Sequence, residues 1–384
     1  MSTYDFRVPP LVVIGGGAFQ RAGVEAKRLG AKRALLVTDE NLLHLSHVRM
    51  VQCELQDQGL SVVVYPEVNS EPTVEHIENG LALLRQEECD IVVSVGGGSP
   101  IDTGKAIALM ATNTGSIKDY VGMDKFKHPK LPLIAVPTTA GTGSEVTRFI
   151  IVTDTATNVK MLIGSPLAIS DVALVDYKLT VTMPASVTAS TGLDALTHAL
   201  EAFISRRANP LSDNLALAAI NHILPHLRRA WANPEDAQAR AWVMQGSTEA
   251  GMAFSNSSVA LVHGMARPIG AYFHIPHGLS NAMLLPAVMR FSHEAAADRL
   301  ARVAEVVGVQ RGGIIESALS VVEEVECICR DLEVPSLSGA GIDRDRLLHF
   351  APTMARDAIA SGSPGNNPRL ASEEEIVELY CQCL

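Results

Sequence analysis

The chain has 384 residues, 47% of them apolar, more than a single hydrophobic core ordinarily holds, so two domains are expected. Its formal net charge is −11 with no basic run, which argues against nucleic acid or an anionic membrane as a partner. No apolar run reaches membrane-spanning length, and the opening Met1–Arg7 stretch lacks a basic-then-apolar leader, so a cytoplasmic enzyme is expected.

In chain order, short apolar runs of β type come first: Ala34–Val37, Ser61–Tyr65, Ile91–Val95, Leu133–Val136 and Ala173–Val175. They alternate with helical stretches such as Val74–Arg85 and Pro100–Met110. That alternation predicts a parallel, helix-covered sheet over residues 1–185. From Pro184-Ala185-Ser186 onward, alanine- and leucine-rich periodic segments take over: Ser186–Ser205, Ser212–Ala230, Pro234–Phe254 and Ala295–Val307. Residues 186–384 therefore read as a helical domain. Ser361–Asn366 reads as a flexible loop, too short to link domains. The six cysteines form no disulfide framework, and the Cys327-Ile328-Cys329 and Cys381-Gln382-Cys383 spacing is too tight for the usual zinc motif; reduced thiols are expected.

Three stretches carry candidate chemistry. The run Ile91–Val95 enters Gly96-Gly97-Gly98, and Ser99 and Pro100 suit the cap and first position of a helix. Such a turn brings backbone N–H groups and the helix dipole close to a pyrophosphate, although glycine after a strand also serves plain backbone geometry. Upstream, Asp39 stands at the end of a strand, placed either to bind an adenosine ribose or to cap a helix starting near Glu40. The hydroxyl-rich turn Pro137–Thr147 follows Leu133–Val136 and offers small side chains that can approach a phosphate or nicotinamide; by composition alone it is a loop. In the helical half, Asp194 and His198 lie i, i+4 on one helix face, and His263 and His277 follow; together they offer four O and N ligands to one divalent metal. Any one of these histidines alone reads as an ordinary buried or surface residue. Asp194 is harder to dismiss, because an unpaired carboxylate is costly in so apolar a helix.

In this order and spacing, Gly96–Lys105, Pro137–Thr147, the Asp194/His198 pair, His263 and Pro276-His277-Gly278 resemble the iron-containing (group III) alcohol dehydrogenase family. The resemblance covers nearly the whole chain and extends to Asn367-Pro368-Arg369. It implies a dehydroquinate-synthase-like fold, an α/β parallel-sheet nucleotide-binding domain followed by an all-α domain, and an NAD-linked alcohol dehydrogenase or aldehyde reductase. Asp194, His198, His263 and His277 carry over as metal ligands; iron is usual in the family, while the donor set also admits Zn2+ or another divalent ion. Gly96, Gly97, Gly98 and Ser99 would hold the pyrophosphate; Asp102, Thr138, Thr139 and Thr142 would line the cofactor; Lys160 would contact its ribose, and Asp39 would favour NAD over NADP. A homodimer or larger homo-oligomer is expected, with the metal in a cleft between sheet and helical lid. There the metal lowers the pKa of an alcohol or polarises an aldehyde carbonyl, and hydride passes between the carbinol carbon and the nicotinamide.

Two positions depart from the family pattern. Where members commonly carry a histidine four residues after the third ligand, suspected in proton transfer, this chain has Arg267; His274 reads either as a plain loop histidine or as a partial substitute. The frequent Asn-Pro-Thr is Glu71-Pro72-Thr73. Arg267 reads either as a structural residue that pairs with a nearby acid or caps backbone carbonyls, or as the mark of a second substrate class, a small anionic ω-oxo acid of semialdehyde or sulfoacetaldehyde type, beside short alcohols, diols and lactaldehyde-like compounds. The other readings are a dehydroquinate-synthase-like lyase, against which the four-ligand set and threonine-rich loop speak, and a non-catalytic binding module that has kept the fold.

Overall fold

A computed structural model describes residues 3–157 and 159–384; Met1 and Ser2 of the N-terminal stretch lie outside the described residues. The chain divides into two compact units, Arg7–Thr182 and Met183–Leu384, the latter joined by the N-terminal residues up to Phe6.

The first unit is α/β. Its strands are β1 (Leu11–Ile14), β2 (Arg33–Val37), β3 (Ser61–Tyr65), β4 (Ile91–Gly96), β5 (Gly122–Met123), β6 (Leu133–Pro137), β7 (Phe149–Asp154), β8 (Val159–Gly164) and β9 (Val172–Val175). Six of them form a wholly parallel sheet in the order β1-β9-β6-β4-β2-β3. Strand alternation divides its side chains between two apolar layers. Ala34, Leu36, Ile91, Val93, Val95 and Ile134 enter one layer, and Leu35, Val37, Val92 and Leu133 enter the other. Burial on both faces explains why these strands read as continuous apolar runs. The strand order reverses around β2 and β4, and ligands in such sheets collect at the carboxyl ends beside the switch. Asp39, Gly96–Gly98 and Thr138 follow those ends.

A small second sheet, β5-β8-β7, was not expected from the sequence. The β7–β8 hairpin places Thr153 opposite Lys160. It has no Asn-Gly or Asp-Gly turn, and its sequence lacks clean polar alternation, so the usual hairpin signal is missing.

The second unit is helical. Pro184 precedes the Ala185–Ile204 helix, which is followed by Pro210–Ala232, Ala237–Ser257, Leu261–Phe273, His277–Ser292 and four further helices ending at Gln382. Gly192 lets two of these approach closely, since a Cβ there would lie 2.2 Å from Leu227 Cδ1. The expected flexible loop at Ser361–Asn366 is instead a short 3-10 turn over Ser363–Asn366, with Ser363 and Pro364 buried; Pro364 fills the space left by the missing side chain of Gly264. Asn367 donates to Ser292 Oγ (2.9 Å), and Arg369 lies over the Phe291 ring, so the Asn-Pro-Arg segment fastens the end of the His277–Ser292 helix.

Candidate metal centre and cofactor turn

In the helical unit, the Ala185–Ile204 helix carries Asp194, His198 and Glu201 at i, i+4 and i+7 on one face, all buried. The His277–Ser292 helix begins at His277 and comes close at Gly278, where a Cβ would lie 2.7 Å from Ser190 O. His263 sits in the first turn of Leu261–Phe273. These placements bring donor atoms of Asp194, His263 and His277 within 4.8 Å of one another. His198 stands beside this group rather than in it, its ring stacked on His263 (centroids 4.4 Å) and on Phe254 (4.1 Å). The His277 side chain is 40% exposed, against 3% and 4% for Asp194 and His263, so the cluster has one open edge.

The middle of the cluster holds the amide nitrogen of Asn281. Its Nδ2 lies 2.6 Å from Asp194 Oδ1, 3.1 Å from His263 Nε2 and 3.2 Å from His277 Nε2. An amide has two N–H donors, fewer than the three ring and carboxylate atoms around it, and Asn281 Oδ1 is buried without a partner among the described residues. Three lone pairs converging on one point suit a divalent cation better than an amide, and the donor set of one carboxylate and imidazoles is that of a transition-metal site.

Glu201 orders the histidine. One of its oxygens accepts from Val262 N (2.6 Å) and the other is 2.6 Å from His263 Nδ1, leaving Nε2 turned to the cluster. Burial pulls the His263 pKa down, but the carboxylates of Glu201 and Asp194 outweigh it and raise the value to about 9, so a metal would compete with a proton for the Nε2 lone pair. Burial alone would raise Asp194; the surrounding His198, His277 and His263 instead hold it well below the usual carboxylate range. Arg267 follows His263 by one turn, half-buried; burial lowers its pKa and Glu201 partly offsets this. His274 ends the same helix in the left-handed conformation, φ 57°, and is exposed. Sequence reasoning overlooked Glu201 and Asn281. Their signals were the i+7 phase with Asp194 and the i+4 phase with His277.

In the α/β unit, the glycine turn corrects one local expectation. Gly97, not Ser99, precedes the helix, which runs Gly98–Met110 and puts Pro100 at its third position. Proline costs little there because the first-turn N–H groups have no helical partner anyway. The turn is closely walled. A Cβ on Gly96 would lie 2.5 Å from Pro100 Cγ, one on Gly98 3.0 Å from Thr142, and one on Gly97 3.4 Å from Thr139. Thr138 N donates to Gly96 O (2.9 Å), joining the two turns.

Asp102 and Lys105 face the hydroxyl-rich loop. Asp102 accepts from Ser144 Oγ and from Ile151 N (2.9 Å), and fully buried Lys105 donates to Ser144 Oγ (3.0 Å), Thr147 Oγ1 (3.2 Å) and Phe149 O (3.0 Å). Asp39 caps the Glu40–Leu43 helix, accepting from Leu42 N at 3.0 Å, and burial raises its pKa. Beside it, across the Asp39–Glu67 bridge, a cavity of ≈ 390 Å³ is lined by Glu40, Pro66, Glu67, Asn69 and His76. Lys160 is paired with Glu71, Nζ 2.7 Å from Oε2, so the residue at the departing position already holds this cation.

Residues 9–177 match the model of the iron-containing alcohol dehydrogenases, and residues 188–384 match the C-terminal model of the same family. The chain belongs to the iron-containing alcohol dehydrogenase family. A 1,3-propanediol dehydrogenase of Citrobacter freundii is 38% identical over 99% of this chain and 98% of its own. An NAD-dependent methanol dehydrogenase of Bacillus methanolicus is 35% identical over 99% and 100%. A crystal structure of 1,3-propanediol oxidoreductase superposes with a TM-score of 0.97 at 38% identity, covering all of both chains. The iron-containing alcohol dehydrogenase family unites the parallel-sheet and helical units seen here, and membership makes this chain an oxidoreductase acting on alcohols or aldehydes, in a family that uses NAD and a divalent metal.

Proposed function

We propose that Asp194, His198, His263 and His277 hold one divalent metal, iron in the native enzyme, and that the chain interconverts a short primary alcohol and its aldehyde with NAD(H). The observation that carries this reading is the convergence of three buried or half-buried acceptors on the Asn281 amide, a point two N–H bonds cannot satisfy. His198 completes the proposed set, since it shares a helix face with Asp194 and its ring stacks on that of His263. When bound, the metal supplies Lewis acidity toward the substrate oxygen. The chain does the rest. Glu201 fixes the His263 tautomer, the Asn281 amide yields the centre of the cluster to the ion, and the exposed His277 edge admits substrate.

Gly96–Ser99 is proposed to seat the pyrophosphate on the free N–H groups of the helix start, with Thr138, Thr139 and Thr142 along the cofactor. Asp102 and Lys105 brace that loop. Asp39 accepts from the adenosine ribose and, with Glu40 and Glu67 nearby, disfavours a 2′-phosphate. Lys160 reaches the cofactor ribose only as part of its pair with Glu71. The names of the relatives, a propanediol and a methanol dehydrogenase, support a short primary alcohol. The test is metal binding by equilibrium dialysis against Fe(II) under anaerobic conditions: one ion per chain is expected, falling below a tenth of that in His263→Ala at the same free Fe(II). Undiminished binding by that variant counts against the assignment.

A further inference from the structure

Arg267 has no hydrogen bond and no ion pair among the described residues, although it is half-buried on the helix that carries His263. The one acid whose charge it feels, Glu201, is already held at 2.6 Å by both Val262 N and His263 Nδ1. A guanidinium has five donors, and leaving them unmet in a partly desolvated position is costly. It also remains partly accessible, so a ligand can reach it. In a chain of net charge −11, a local cation is what an incoming anion needs to overcome the overall field.

We propose that Arg267 binds the anionic end of the substrate, the carboxylate or sulfonate of a short ω-oxo acid, while the other end meets the metal cluster. Arg267 is four residues after His263, about 6 Å along the helix axis, a separation a short aliphatic chain spans. The planar fork suits a bidentate oxoacid and is lost on neutral aldehydes. This substrate class rests on the oxidoreductase reading above.

The experiment compares kcat/KM for succinic semialdehyde, sulfoacetaldehyde and the uncharged methyl ester of succinic semialdehyde, using Fe(II)-loaded wild type, Arg267→Met and Arg267→Lys. The ratio of anionic to neutral kcat/KM is expected to fall roughly 10- to 150-fold in Arg267→Met and less in Arg267→Lys. Preference for one anionic aldehyde over the other identifies the headgroup. A second measurement, calorimetric binding of butyrate against butyramide, reads the anion site without turnover; butyrate binding is expected in wild type and lost in Arg267→Met. A ratio unchanged within threefold, together with butyrate binding unaffected by Arg267→Met, overturns the proposal. If no aldehyde is reduced yet butyrate binding depends on Arg267, the anion site stands and the oxidoreductase reading fails.

Discussion

At the residue scale, Asp39 and Glu201 each do two jobs that substitution can separate. Asp39 caps a helix and is proposed to select NAD. Asparagine caps as well as aspartate but carries no charge, so Asp39→Asn should leave stability nearly unchanged while raising the NADP-to-NAD ratio of kcat/KM on the order of tenfold. Asp39→Ala should shift the ratio and also cost about 1 kcal/mol in urea unfolding. A ratio unmoved in Asp39→Asn would reduce this carboxylate to a cap. Glu201 is not among the proposed ligands, yet it sets the orientation of His263. Glu201→Gln should therefore weaken Fe(II) binding roughly 10- to 100-fold, measured by competition with a chromophoric chelator, with the far-UV spectrum intact. Equal affinity in both proteins would show that His263 needs no such partner.

At the scale of elements, single residues mark how the proposed cofactor turn and the proposed metal helices are packed. Lys105 is the pin of the hydroxyl-rich loop. Lys105→Met removes three hydrogen bonds and the cation beside buried Asp102, and should cost about 3 to 5 kcal/mol in urea unfolding together with weaker NADH binding. Unaltered unfolding would mean the loop holds itself. Gly278→Ala places a methyl against Ser190 O and must push apart the helices bearing His277 and Asp194. Metal affinity should fall while NADH binding, read by fluorescence, does not. Much of this scale was legible beforehand: β3 lies where the run Ser61–Tyr65 predicts it, and the Val74–Gln86 and Ala297–Val307 helices follow their periodicity within two residues. The metal helices Leu261–Phe273 and His277–Ser292 were harder to see because Pro268 and Pro286 stand inside them, and proline ordinarily ends a helix. Likewise β1 is an edge strand, Leu11–Ile14, set between Pro9-Pro10 and Gly15-Gly16-Gly17, residues that mark turns.

At the scale of the whole molecule, the α/β and helical units are each recognisable in the texture of the sequence, with the observed division after Thr182 and the expected one after 185. Family resemblance supplied what periodicity could not: the four proposed ligands are spread over 84 residues, from position 194 to 277, and only helix packing brings Asp194, His263 and His277 together. The residue types of the proposed site stand out in the sequence, but their arrangement does not: His198 stacks on His263 beside the cluster, and the Asn281 amide stands at its centre. The central claim is that a metal in the helical unit enables hydride transfer to and from NAD. The most direct measurement strips the protein with a chelator, then follows NADH oxidation at 340 nm with propionaldehyde before and after anaerobic addition of one equivalent of Fe(II). The stripped protein should be inactive and regain activity in proportion to metal up to one ion per chain, whereas His263→Ala should not recover. Full activity in the metal-free protein would contradict the account.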